Sequence, residues 1–240
     1  KFRFWPQGSP SDRPETSMVA APSINPNIAD SLPALRCDRG MAKSGSNGCV
    51  YPAAAAIYEL DGNFGSDTEE GARHVALAQA TGSPGSFKLK AGTRAIADTG
   101  SDGSAKNYSG LQRAQLLDVI NANRDASCNS STSIFKTGGA KLPSRTCRAT
   151  PTPVDCQCDE YPFASTWNGA AYDRMHTSVQ LIWGSDNNQS GGGRLNGFYT
   201  RERLLDFALN PTGNHGDNDY FWVKVESGVG PIPWPPSTDE

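Results

Sequence analysis

Apolar and polar positions alternate most cleanly in two stretches. Over 177–183, Ser178, Gln180 and Ile182 alternate with Val179, Leu181 and Trp183; over 220–226, Tyr220, Trp222 and Lys224 alternate with Phe221, Val223 and Val225. A period of two predicts a strand in each. The apolar run 53–60 reads as a strand or a short helix. Helical spacing appears three times. The segment 68–80 opens on Thr68, Glu69 and Glu70, carries Val75, Ala76 and Ala80, and stops at Gly82; His74 is expected on its solvent side. The segment 111–121 sets Leu111, Ala114, Leu117 and Val119/Ile120 near one side, with Ser109 as its cap. The segment 194–209 offers Leu195, Phe198, Leu204/Leu205 and Ala208 as an apolar face before Asn210-Pro211 ends it.

Between these segments the chain is polar and irregular. With 25 Gly and 17 Pro among 240 residues and only 36% hydrophobic residues, much of the backbone belongs in loops. The pattern predicts a loop-rich α+β protein with no internal repeat. Its organisation is an extended N-terminal arm over 1–28, a single domain over 29–227 and a Pro-rich C-terminal tail over 228–240. No run approaches the roughly 18–20 apolar residues that cross a bilayer.

Six cysteines at Cys37, Cys49, Cys128, Cys147, Cys156 and Cys158 lack the paired spacing of a zinc ribbon. An even count in so polar a chain predicts three disulfides and an oxidising, extracellular compartment. Cys37 with Cys49 closes a short Gly/Ser-rich loop, and the other four are expected to hold the strand that carries Cys156 and Cys158. The formal net charge of −3 excludes a generally basic nucleic-acid binder. Charge is uneven, however: Arg113, Arg124, Lys136, Lys141, Arg145 and Arg148 face only Asp118 and Asp125, which predicts a local basic surface.

The candidate chemistry lies in Cys158-Asp159-Glu160-Tyr161-Pro162-Phe163-Ala164-Ser165-Thr166 and, a strand later, in Ser185-Asp186-Asn187-Asn188-Gln189-Ser190-Gly191-Gly192-Gly193-Arg194-Leu195-Asn196. Carboxylates and Asn carbonyls are the oxygens that a hard cation takes, and Mg²⁺ needs only one or two of them. Asp159 and Glu160 are adjacent on a strand, so they point to opposite faces and only one aims into a given site. His176 is a competing general base, since a His titrates near neutrality without tuning. Arg174 and Arg194 flank the two halves and could hold phosphates as planar forks. The Gly191–Gly193 run is too short for a phosphate loop and reads as a turn.

These two blocks resemble the secreted bacterial non-specific deoxyribonucleases of the NucA/NucB type. The similarity is concentrated over 158–199, with weaker echoes at 37–52 and 220–223. It implies a ββα-metal, His-Me finger-like nuclease core at about 156–209, with Asp159 in place of the usual His as general base. Asn196 is then the leading ligand of Mg²⁺ or Mn²⁺, with Glu160 and Asn187 orienting the metal or its water. Gly197 departs from relatives that carry a longer polar side chain there, which leaves the ligand count open. DNA is the expected substrate, and nothing separates it from RNA. The rival reading is a secreted, disulfide-stapled binding module that keeps the scaffold without the catalysis.

Overall fold

The computed structural model describes residues 17–19, 35–39, 47–50, 55–87, 110–138, 147, 155–206 and 220–226. They form a mixed α+β structure with three small sheets. An antiparallel sheet joins β1 (Ser17–Val19), β2 (Leu35–Arg39) and β3 (Asn47–Val50). Cys37 and Cys49 face each other across β2 and β3 and are bridged, as their spacing predicts.

The second sheet has the order β4-β8-β5. In β4 (Ala56–Asp61) Tyr58 and Leu60 turn inward while Glu59 and Asp61 face solvent, so the described part of the run 53–60 resolves as a strand from Ala56 onward. β8 (Tyr220–Glu226) runs parallel to β4 and antiparallel to β5 (Leu111–Gln112). With neighbours on both edges, it buries Phe221, Trp222 and Val223 in succession, as a strand covered on both faces does. The third sheet is the hairpin β6 (Cys156–Tyr161) and β7 (Ser178–Trp183), paired Asp159 to Gln180 and Tyr161 to Ser178.

Helix α1 (Glu69–Ala80) begins and ends where the sequence places it. Glu69 and Glu70 sit in its first turn, where acidic side chains suit the helix dipole. Gly82, at φ +105°, leaves the helix in a conformation that suits glycine. Ala72, Val75 and Ala78 enter the core beside Tyr58, Phe163, Leu195, Phe198, Tyr199 and Phe221. Each large apolar side chain so buried contributes about 1.5–3 kcal/mol. The rings interlock: Phe198 lies 5.1 Å from Tyr58 and 5.7 Å from Phe221.

Two helical expectations shift. α2 is Leu117–Arg124 rather than 111–121, because Leu111 and Gln112 pair with β8. Burial of Leu111 in the sheet overrides its helical spacing, and Leu117 is left largely exposed. A π turn, Asp125–Asn129, follows. The glycine run is not a turn but part of a helical path: α3 (Gly184–Asn187), a π turn (Asn188–Gly192) and α4 (Gly193–Arg201) follow β7 without a break. The path starts ten residues before the expected helix and ends before 209. Arg203, at φ +52°, reverses the chain so that Leu204 and Leu205 are buried beyond the helix end. Residues 207–209 lie outside the described residues.

Both remaining disulfides, Cys128–Cys158 and Cys147–Cys156, tie neighbouring segments to β6. The strand that carries the two acids is thereby held at two of its six positions, as expected. Most of the arm and the whole C-terminal tail lie outside the described residues, and no described helix is long and apolar enough to cross a membrane.

Candidate active site

Strand alternation separates the two acids. Gln157, Asp159 and Tyr161 share one face of the hairpin with Ser178, Gln180 and Ile182; Cys158 and Glu160 share the other with Val179 and Leu181. Helix α1 lies against the first face. The close approach is possible because Gly71 has no side chain; a Cβ there would run into the Ser190 side chain. Three further α1 contacts lock the arrangement. Asp186 accepts the Glu70 backbone N–H at 3.0 Å, the Glu70 carboxylate accepts the Trp183 N–H at 2.6 Å, and His74 reaches down onto the hairpin.

His74 is fully buried, which corrects the expectation of a solvent-facing side chain. Its Nδ1 lies 2.5 Å from Asp159 Oδ2 and its Nε2 lies 3.0 Å from Ser178 Oγ. A carboxylate only accepts, so Nδ1 carries the proton and donates it to Asp159. Asp159 and Ser178 are themselves only 5% and 4% exposed. A chain of Ser, His and Asp joined in this order is also how serine hydrolases activate a nucleophile. Here Ser178 lies beneath a helix, where no acyl or phosphoryl group reaches its oxygen, so the chain holds Asp159 instead. Helical periodicity could not single out His74, since i, i+3 and i+4 neighbours of an apolar stripe are as often solvent-facing. The only signal was its place one helical turn after Glu70 and Gly71.

Gln180 stands across the hairpin from Asp159 and is 1% exposed, and its Oε1 has no hydrogen-bond partner. The face of Asp159 therefore presents oxygen donors of the kind that suit a hard cation. No described group of three or more His, Cys, Asp or Glu is poised to hold a metal ion.

On the opposite face, Glu160 is partly buried against the Cys128–Cys158 bridge, with Cys128 Sγ 3.5 Å from its Oε2. Burial, and then the charge of Asp159, push its carboxyl up to about 7; Arg124 and the Ala164 N–H oppose them. A carboxyl raised in the folded state binds more protons there than in the unfolded chain between about pH 4.5 and 7. Its stabilising share is thus full below pH 4.5 and fades as pH rises through 7. In EDTA, Glu160→Gln should remove that fall, on the order of 2 kcal/mol. The check is thermal unfolding: the drop in Tm between pH 5 and pH 8 shrinks in the variant.

The other candidates disperse. Asn187 donates from Nδ2 to Gln157 Oε1 at 3.1 Å and to the Cys158 carbonyl at 3.4 Å, which leaves its Oδ1 free of those bonds. Asn196 is exposed on α4. Arg194 pairs with Asp67 at 2.5 Å across an exposed surface, and Arg174 donates to the Thr132 carbonyl at 2.8 Å. His176 is held by Asp173 at 2.7 Å. Arg113 is turned inward, donating to the Leu204 carbonyl with its guanidinium over the Tyr199 ring. It is thus lost to the expected basic surface, of which Lys141, Arg145 and Arg148 lie outside the described residues. A cleft of about 310 Å³ beside α1, lined by Gln79, Phe87 and Lys224 among others, includes none of these candidates.

No curated protein and no solved structure is significantly similar to the chain. Residues 109–206 do match a family model, Deoxyribonuclease NucA/NucB. The match takes in β5, α2, the hairpin and the helical path after it, and it leaves out β4, α1 and β8. The segment that carries Asp159 thus matches the model of the deoxyribonuclease family that its carboxylate block resembles.

Proposed function

We propose that the protein is a secreted, metal-dependent, sequence-non-specific endonuclease that hydrolyses DNA phosphodiester bonds. The observation that carries this reading is the family match over 109–206, which contains a buried carboxylate, Asp159, fixed by a donor from α1. The three disulfides and the six-cysteine pattern support an oxidising destination.

Asp159 is the general base. Burial is compatible with that role, because the base needs contact with one water and not with the bulk of DNA. A bound Mg²⁺ or Mn²⁺ supplies Lewis-acid stabilisation of the charge that develops on phosphate oxygen. Asn196 and Asn187 Oδ1 would hold it, Gln180 Oε1 is a further oxygen on the face of Asp159, and Glu160, expected beside them, points to the opposite face of the hairpin. Arg174 and Arg194 are the candidate clamps on the DNA backbone; Arg194 would exchange its exposed Asp67 partner for phosphate, at little cost for a surface pair.

The test is digestion of supercoiled plasmid with Mg²⁺ or Mn²⁺, beside an EDTA control. Nicking and linearisation that EDTA abolishes are the expected result, with cleavage weakening steeply as salt rises. A folded, fully oxidised sample that leaves the plasmid intact with every divalent cation tried would be a binding module instead. Parallel digestion of single-stranded and structured RNA separates the two sugars.

A further inference from the structure

The geometry points to His74 as the positioning residue of the catalytic base: α1, outside the family-matched segment, completes the site by fixing the Asp159 carboxylate through Nδ1. The inference rests on the nuclease reading above and adds to it a residue that neither the carboxylate block nor the family match contains.

Three observations carry it. The first is placement. His74 has no exposed surface, its ring is anchored at both nitrogens, and the two anchors come from paired strands, Asp159 on β6 and Ser178 near the start of β7. With both nitrogens held, the imidazole cannot rotate without breaking a buried hydrogen bond and leaving its partner unsatisfied. The second is the approach of the helix. Gly71 lets α1 sit against Ser190, and the Glu70 contacts with Trp183 and Asp186 fix its height over the hairpin, so His74 is delivered at a set depth. The third is economy of contacts at Asp159. The 2.5 Å bond engages Oδ2 and leaves Oδ1 outside that contact, so Oδ1 is the oxygen assigned to the reacting water. A base whose second oxygen is pinned cannot swing between rotamers, and a misplacement of about 1 Å at a reacting group can cost 10²-fold in rate.

His74→Leu and His74→Asn decide the matter, since the two side chains are close in size and only Asn keeps a donor near the position of Nδ1. The leucine variant is expected to lose roughly 100-fold in kcat with KM for DNA changed less than about threefold, and the asparagine variant to recover to within about tenfold of wild type. A purely structural role would instead lower Tm and activity together in both. Equal cleavage by His74→Leu and wild type overturns the inference and leaves the nuclease reading standing. A wild-type protein that cuts no DNA with any cation overturns both. Should His74→Leu fail to fold, Ser178→Ala takes its place: it frees the far nitrogen only, and kcat should fall about tenfold at constant KM, whereas an unchanged kcat overturns the inference.

Discussion

Asp159→Asn should lower kcat for plasmid cleavage by about 10³-fold, within the 10²–10⁴ that general-base catalysis contributes, while leaving the protein folded. Asparagine matches the carboxylate in shape and keeps an oxygen to accept the Nδ1 proton of His74, so the buried contact survives. What it loses is the capacity to take a proton from water. Asp159→Ala is the harsher control: it strands a buried donor on His74, and should cost a further 1–3 kcal/mol of stability, roughly, on top of the activity. Circular dichroism and Tm separate the two losses. An Asn variant that cleaves within tenfold of wild type would sink the assignment of the base and turn attention to His176, which Asp173 already orients.

Removing the Cys128–Cys158 bridge should have the largest effect on stability. It spans 30 residues of sequence, and cross-linking a loop of that length restricts the unfolded chain by about 3–4 kcal/mol. The paired substitution Cys128→Ala/Cys158→Ala, which leaves no free thiol, should lower Tm by roughly 10 °C for a chain of this size. The bridge also fixes the position next to Asp159 to the π turn after α2. Cleavage should therefore fall before global unfolding as temperature rises and return on cooling. Differential scanning calorimetry beside a temperature series of plasmid digestion checks both, and a Tm within 2 °C of wild type would refute the stabilising role.

The parts of the fold that were legible in sequence are those whose local pattern agrees with their tertiary place. β8 and α1 have the expected bounds within a residue, since their periodicity matches the face they bury. Cys37–Cys49 was legible from loop length alone. The misplaced elements are those where distant contacts decide. Leu111 leaves a helical pattern because β8, more than a hundred residues later, needs an edge partner. The glycines at 191–193 look like a turn but continue a helix, held by the Tyr58 hydroxyl on the Ser190 carbonyl at 2.8 Å. Within the site, the opposition of Asp159 and Glu160 follows from strand alternation and could be read in advance. His74 could not, because a helix seen alone gives no reason why a histidine should meet an acid 85 residues away.

The middle place of β8 has a consequence for how the protein is made. The strand synthesised last of those described, Tyr220–Glu226, must slot between β4 and β5, which precede it by more than a hundred residues. Until it emerges, neither earlier strand has its neighbour, and the aromatic core around Phe221 lacks its centre. Long-range pairing of this kind forms late, since the chain between must close first. A nascent or truncated chain ending before 220 therefore has every proposed catalytic residue and no finished scaffold to aim them. On the nuclease reading proposed above, the residues that would cut are thus made before the scaffold that aims them.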